Sequence, residues 1–153
     1  MKFKKIIFFI VVLAIFLITG YFFGKNTDFY EEINKPVFAP KGIVFSIVWT
    51  GLYVIQAYYV THVYFNKTES KEYNKLLILL LINAVLNIIY MPVFFIFESI
   101  FGGFVISLLL FISLVLIIYK SKLLNIKQFY LEIPYFIWSI FALILSISIY
   151  LMN

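Results

Sequence analysis

The sequence predicts an all-α integral membrane protein, a bundle of five transmembrane helices, and three observations carry that reading. The chain of 153 residues is 65% hydrophobic and only 12% charged, with a mean hydropathy of +1.08, whereas soluble domains carry about a quarter charged residues. Apolar stretches long enough to cross a hydrocarbon core of about 30 Å at about 1.5 Å per residue recur along it. Polar or proline-marked segments separate these stretches, so the whole of 1–153 reads as one membrane domain.

The first stretch follows the basic start Met1–Lys5 and runs without interruption over 6–23. It exceeds the apolar core of about 7–15 residues found in signal peptides, and no A-x-A site follows it, so it reads as the first transmembrane helix. Gly20 and Gly24 near its end form a small-xxx-small pair, a spacing that permits close helix contact but reads more simply as a helix end before a loop. The loop, 24–42, is the longest polar segment. Within it Pro36 and Pro40 fix φ and push the residue before each toward extended geometry, which predicts a stiff loop over Lys35–Pro40.

The second helix is expected over about 43–64, with Trp49, Tyr53, Gln56 and Val60 on one face by their i, i+4, i+7, i+11 spacing. The third covers about 76–97. There Asn83, Asn87, Tyr90 and Phe94 share a face, and polar groups at membrane depth need partners, so this face points into the bundle. Pairing with neighbouring helices is the simplest role for the two amides. Pro92 removes a backbone donor and predicts a kink that opens space beside Asn87. Glu98-Ser99 forms a tight turn, which makes the third helix and the fourth, at about 100–119, antiparallel neighbours. The fifth helix is expected over about 129–152, with Pro134 in its opening turns, where a missing N–H costs least.

The net charge of +5 comes from twelve lysines and no arginine, and these lysines sit in connecting segments. It reports membrane orientation and attraction to anionic lipid, and excludes nucleic acid as the expected partner. Lysines 2, 4, 5, 67, 71, 75, 120, 122 and 127 fall on one side, with only Lys25, Lys35 and Lys41 on the other. The positive-inside rule then places the N-terminus in the cytoplasm and the 24–42 loop and the C-terminus outside, in a bacterial plasma membrane. There are no cysteines, which excludes disulfides, thiolate catalysis, iron–sulfur clusters and covalent haem attachment.

No phosphate loop, nucleophile elbow or H-E-x-x-H motif is present, so no catalytic residue and no metal ligand is assigned. His62, the only histidine, reads as an interface residue rather than a haem ligand. Glu98 and Glu132 lie at predicted helix boundaries and read as solvated rather than as a proton relay. In the fifth helix Trp138, Ala142 and Ser146 are spaced i, i+4, i+8, with Phe141 and Leu145 flanking them, and a large indole beside a small alanine leaves a concavity for a flat ligand. Aromatic and amide groups on the second, third and fifth helices thus describe a pocket for a planar, mostly apolar molecule, stacked on rings and oriented by Asn87 or Gln56. The loop would close its open end, with Lys35 or Lys41 able to meet acidic groups of a ligand.

Three runs carry a family resemblance. Lys35-Pro36, Pro40, Phe45, Val48-Trp49 and Leu52-Tyr53 are similar to the signature of the TspO/MBR family, the tryptophan-rich sensory proteins related to the mitochondrial translocator protein. Leu86-Asn87 through Tyr90 to Phe94-Phe95 resembles the family's L-N-x-x-W-x-x-x-F-F, and Pro134-Tyr135 through Trp138 to Phe141-Ala142 resembles its P-Y-x-x-W-x-x-F-A. The resemblance covers nearly the whole chain.

It implies a five-helix bundle, often dimeric, that acts as a membrane receptor or binding protein for porphyrins and similar hydrophobic ligands beneath the first loop. Porphyrin or haem would be a ligand there rather than a tightly bound cofactor. The implied site residues are Tyr30, Pro36, Trp49, Tyr53, Asn87, Tyr90, Phe94, Trp138, Phe141 and Ala142. The resemblance also carries two alternatives, light-dependent porphyrin breakdown and a small transporter or accessory membrane protein. The chain departs from the family pattern at Phe29-Tyr30, Lys41, Tyr90 and Leu145-Ser146, which stand where the family has W-Y, a second proline, tryptophan and L-N. Loop and pocket have lost indoles; phenylalanine and tyrosine still stack, but photochemistry resting on one particular tryptophan is weakened.

Overall fold

A computed structural model describes residues 2–23 and 28–153. Its helices are α1 (Lys2–Phe23), α2 (Asp28–Glu32), α3 (Gly42–Phe65), α4 (Lys71–Met91), α5 (Ile100–Leu123) and α6 (Ile133–Met152). A π turn over Pro92–Ile96 extends α4, and a 3-10 segment over Lys127–Glu132 leads into α6. Five of these units are long and apolar enough to span a membrane. Gly24 and Lys25 lie outside the described residues, and no atom approaches within 4 Å of the position a Cβ would take on Gly20.

The helix limits differ from the expected ones where capping and charge act. Ser70 accepts a hydrogen bond from Tyr73 N at 3.1 Å, so α4 starts at Lys71, well before the apolar run, and its first turn is charged rather than looped. Within that turn Glu72 pairs with Lys75 at 2.7 Å and with Lys120 of α5. Ser99 caps α5 through Gly102 N at 3.0 Å, and Glu98 reverses the chain with a positive φ of 50°. The loop expected to be irregular contains the short helix α2, while Pro36 to Pro40 is extended apart from one turn closed by Ala39 N on the Pro36 carbonyl at 2.9 Å.

α4, α5 and α6 pack side by side, α1 lies against α3 and α4, and the 3-10 segment closes the ring by packing on α3 at the lysine-rich end. That end has a continuous apolar core of Tyr59, Val63, Tyr73, Leu76, Leu80, Ile117 and Ile126. Toward the loop end, α3 and α6 are bridged by rings: Trp49 meets Tyr135 at 5.9 Å and Phe45 meets Trp138 at 5.9 Å between centroids.

Pro92 acts through more than a kink. The ladder widens to a π turn, with Phe97 N on the Pro92 carbonyl at 3.0 Å, which aims Phe94 inward. This turn sits hard against the start of α5, where a Cβ on Gly102 would stand 2.6 Å from Val93 Cγ1 and one on Gly103 2.6 Å from Phe94 Cδ2. A side chain at either position would force its neighbours to shift.

Glu132 is a correction. The sequence places it at a helix boundary and predicts solvation, which holds for exposed Glu98. Glu132 instead is fully buried, because the 3-10 segment carries the chain into the bundle before α6 begins. Gln56 Nε2 donates to its Oε2 at 2.6 Å.

Candidate functional site

Between the rings of the α3–α6 seam and the inward face of α4 lies a cavity of about 630 Å³, within the size range of small-molecule sites. Trp49 and Tyr53 from α3, Asn87, Tyr90 and Phe94 from α4 and the π turn, and Tyr135 and Ala142 from α6 line it. Tyr30 of α2 forms part of its loop-end wall.

Each wall is set by helical spacing. On α6 the lining residues Tyr135, Ser139, Ala142, Ser146 and Ile149 follow i, i+4, i+7, i+11, i+14. The small side chains of Ser139, Ala142 and Ser146 leave the space that the larger rings opposite do not fill. Trp138 stands one position off this stripe, outside the lining, and packs against Phe45 and against Phe141 at 5.0 Å. Its indole nitrogen is buried with no hydrogen-bond partner among the described residues. Phe141 also lies behind the wall, edge-on to Phe38 of the loop at 6.3 Å. Pro36 belongs to the loop turn and does not line the cavity. Sequence reasoning missed Tyr135 and Ser139; the signal for them was their i, i+4 spacing on the face that Ala142 and Ser146 continue.

Polar groups are concentrated on the floor. Asn87 Nδ2 donates to the Tyr135 hydroxyl at 2.8 Å and to the Asn83 carbonyl at 3.1 Å. Tyr135 donates to Asn83 Oδ1 at 3.2 Å, and Asn83 Nδ2 donates to Ser113 at 2.8 Å. The two amides therefore tie α4 to α5 and α6, the pairing role their depth demands. With the amide protons of Asn87 turned to protein acceptors, its carbonyl Oδ1 is the group it can offer a ligand. Higher up, the Tyr90 hydroxyl meets Ser107 and Ser146, which are bonded to each other at 2.9 Å.

The loop closes the far end. Tyr30 is buried and donates its hydroxyl to the Pro40 carbonyl at 3.0 Å, packing with Phe94, Leu145 and Ile149. Burial first, and then the charge of Glu31, push its phenol above the ordinary tyrosine range, so it remains a donor. Lys35 is turned back onto the Tyr30 carbonyl and lies 4.5 Å from the centre of its ring. Its ammonium is engaged within the loop, while Lys41 is exposed.

The loop is also pinned to the end of α6. Asn34 N donates to Asn153 Oδ1 at 3.0 Å and Asn153 Nδ2 donates to the Asn34 carbonyl at 3.0 Å. Removing this exposed two-way pair by Asn153→Ala is expected to cost about 0.5–1.5 kcal/mol of loop closure. Amide hydrogen exchange over the loop measures it, and unchanged protection would show that the pair does not hold the loop.

The chain matches the TspO/MBR family over residues 7–151. It is 30% identical to Tryptophan-rich protein TspO of Bacillus cereus, with 100% of this chain and 99% of the relative covered. Identity is also 30% to the uncharacterized membrane protein YtaB of Bacillus subtilis, over 95% of this chain and 93% of the relative. Protein CrtK of Rhodobacter capsulatus is 23% identical over 88% of this chain and 84% of its own length. With five membrane-spanning helices in one bundle and a family match along nearly its whole length, the chain is an integral membrane protein of the TspO/MBR family.

Proposed function

We propose that the protein binds porphyrin-type tetrapyrroles, or hydrophobic planar molecules like them, in the cavity beneath the loop. The single observation that carries this reading is the composition of the cavity wall: Trp49, Tyr53, Tyr90, Phe94 and Tyr135 surround about 630 Å³ with one carboxamide, Asn87, at the floor. Rings on several sides favour a flat conjugated ligand, because offset stacking and edge contacts add to the burial of apolar area. A single amide oxygen can orient such a ligand by accepting a hydrogen bond from a donor at its periphery. No cationic side chain stands among the described lining residues, and Glu31 is one of them, so the described wall favours the apolar body of a ligand over its acidic groups.

Titration of the purified protein with protoporphyrin, followed by absorbance and by tryptophan quenching, tests this. Saturable binding at one equivalent is expected, weakened several-fold by Asn87→Ala. A non-saturable signal equal to that of empty detergent micelles would remove the proposal. The same cavity serves a receptor or a carrier, and the reading commits to binding.

A further inference from the structure

One ionisable group in the bundle has no role in the ligand cavity. Glu132 is fully buried, with Oε2 accepting from Gln56 at 2.6 Å and Oε1 buried without any partner among the described residues. Glu132 and Gln56 stand three residues from Tyr135 and Tyr53, the cavity-lining phenols, on the side toward the lysine-rich end. The pair therefore sits one helical turn beneath the cavity floor.

The surroundings decide what state this carboxyl can hold. From α3 it is faced by Gln56 and the phenol Tyr59, from α6 by the phenol Tyr135, and α5 contributes Ser121, bonded to Tyr59. Two cations of this end of the bundle are engaged elsewhere: Lys120 pairs with Glu72, and Lys122 lies 5.1 Å from the Phe129 ring centre. Lys127 and His62, on the same end of the bundle, make no ion pair with Glu132, and Gln128 bonds His62. An ionised carboxylate at this depth with one donor and no cation would bear an uncompensated charge, whereas the neutral acid leaves only one polar atom short of a partner.

We propose that Glu132 and Gln56 form a proton-binding site separate from the ligand cavity, in which Oε1 carries the proton and Oε2 takes the Gln56 amide. The neutral acid then joins α3 to the segment that leads into α6, directly under the floor. This site does not depend on what the cavity binds.

Infrared spectroscopy of the purified protein at neutral pH tests it. Of the other carboxylates, Asp28, Glu31, Glu32, Glu69 and Glu98 are exposed and Glu72 is held by Lys75 and Lys120, so one protonated carboxyl stretch is expected above the amide envelope, shifting down in D2O. Glu132→Gln should abolish that band completely. Gln56→Leu should retain it at higher frequency, since the carbonyl oxygen loses its donor, and this second variant covers the case in which Glu132→Gln fails to fold. Absence of the band from the wild-type protein, its persistence in Glu132→Gln, or an unshifted band in Gln56→Leu would overturn the proposal. So would a melting temperature that rises with sodium or potassium in the wild type and not in Glu132→Gln, which would identify an ionised carboxylate holding a cation.

Discussion

Gly103→Ala is expected to destabilise the protein by about 1–3 kcal/mol, the usual cost of overpacking a filled site, and Gly103→Val by more. The added Cβ would stand 2.6 Å from Phe94 Cδ2. The ring cannot step aside freely, because Phe94 is buried, stacks on Tyr90 at 5.7 Å and takes the edges of Phe29 at 5.5 Å and Phe95 at 5.0 Å. Its one open direction is the cavity that it lines. The substitution should therefore also reduce ligand affinity. Gly51→Ala is the matched control, since it too lies inside a long helix but nothing stands within 4 Å of its added Cβ. Relief of backbone entropy there should stabilise by about 0.5–1 kcal/mol. Thermal unfolding in detergent distinguishes the two, and a Gly103→Ala variant more stable than the parent would refute the packing described for the π turn.

Trp49→Ala is expected to weaken protoporphyrin binding tenfold or more, equivalent to about 1.4 kcal/mol or above. Trp49 is the single indole on the cavity wall, tilted against Tyr53 at 5.5 Å and edge-on to Tyr135 at 5.9 Å. Its removal takes away a stacking surface and the ring that aligns its two neighbours. Trp49→Phe should recover most of the loss. Trp138→Phe, a change behind the wall, should alter affinity about threefold or less, a cost below about 0.7 kcal/mol. Equal losses from Trp49→Ala and Trp138→Phe in the same titration would mean that the ligand does not rest against the α3 wall.

The spans were legible because a run of apolar residues long enough for a bilayer admits few other solutions. The inward face of α4 was legible for a related reason, since Asn83, Asn87 and Tyr90 can be satisfied at membrane depth only by other helices. The rotation of α6 was harder to read. Trp138 dominates its stretch of sequence by size, yet the wall is drawn by Ser139, Ala142 and Ser146, whose smallness matters. Size marks what fills a bundle; a hollow is marked by what is small.

Glu132 was misread because a charged residue two positions before a proline has the local signature of a helix boundary. The 3-10 segment that draws it inward is short, and its direction is set by packing on α3 and α5 rather than by its own composition. Gln56 was the available clue, an amide on the inward face of α3 that required a partner from another helix. The π turn was hidden for a similar reason, as Pro92 announces a break in the ladder but not how the chain repairs it.

The reciprocal pair between Asn34 and Asn153 bears on how the protein is best handled. An affinity tag fused directly behind Asn153 would stack foreign chain over the loop that this residue steadies. Purification handles placed at the opposite end, before Met1, leave that arrangement undisturbed, and binding constants compared between the two fusions would report how much the handle itself had changed the measurement.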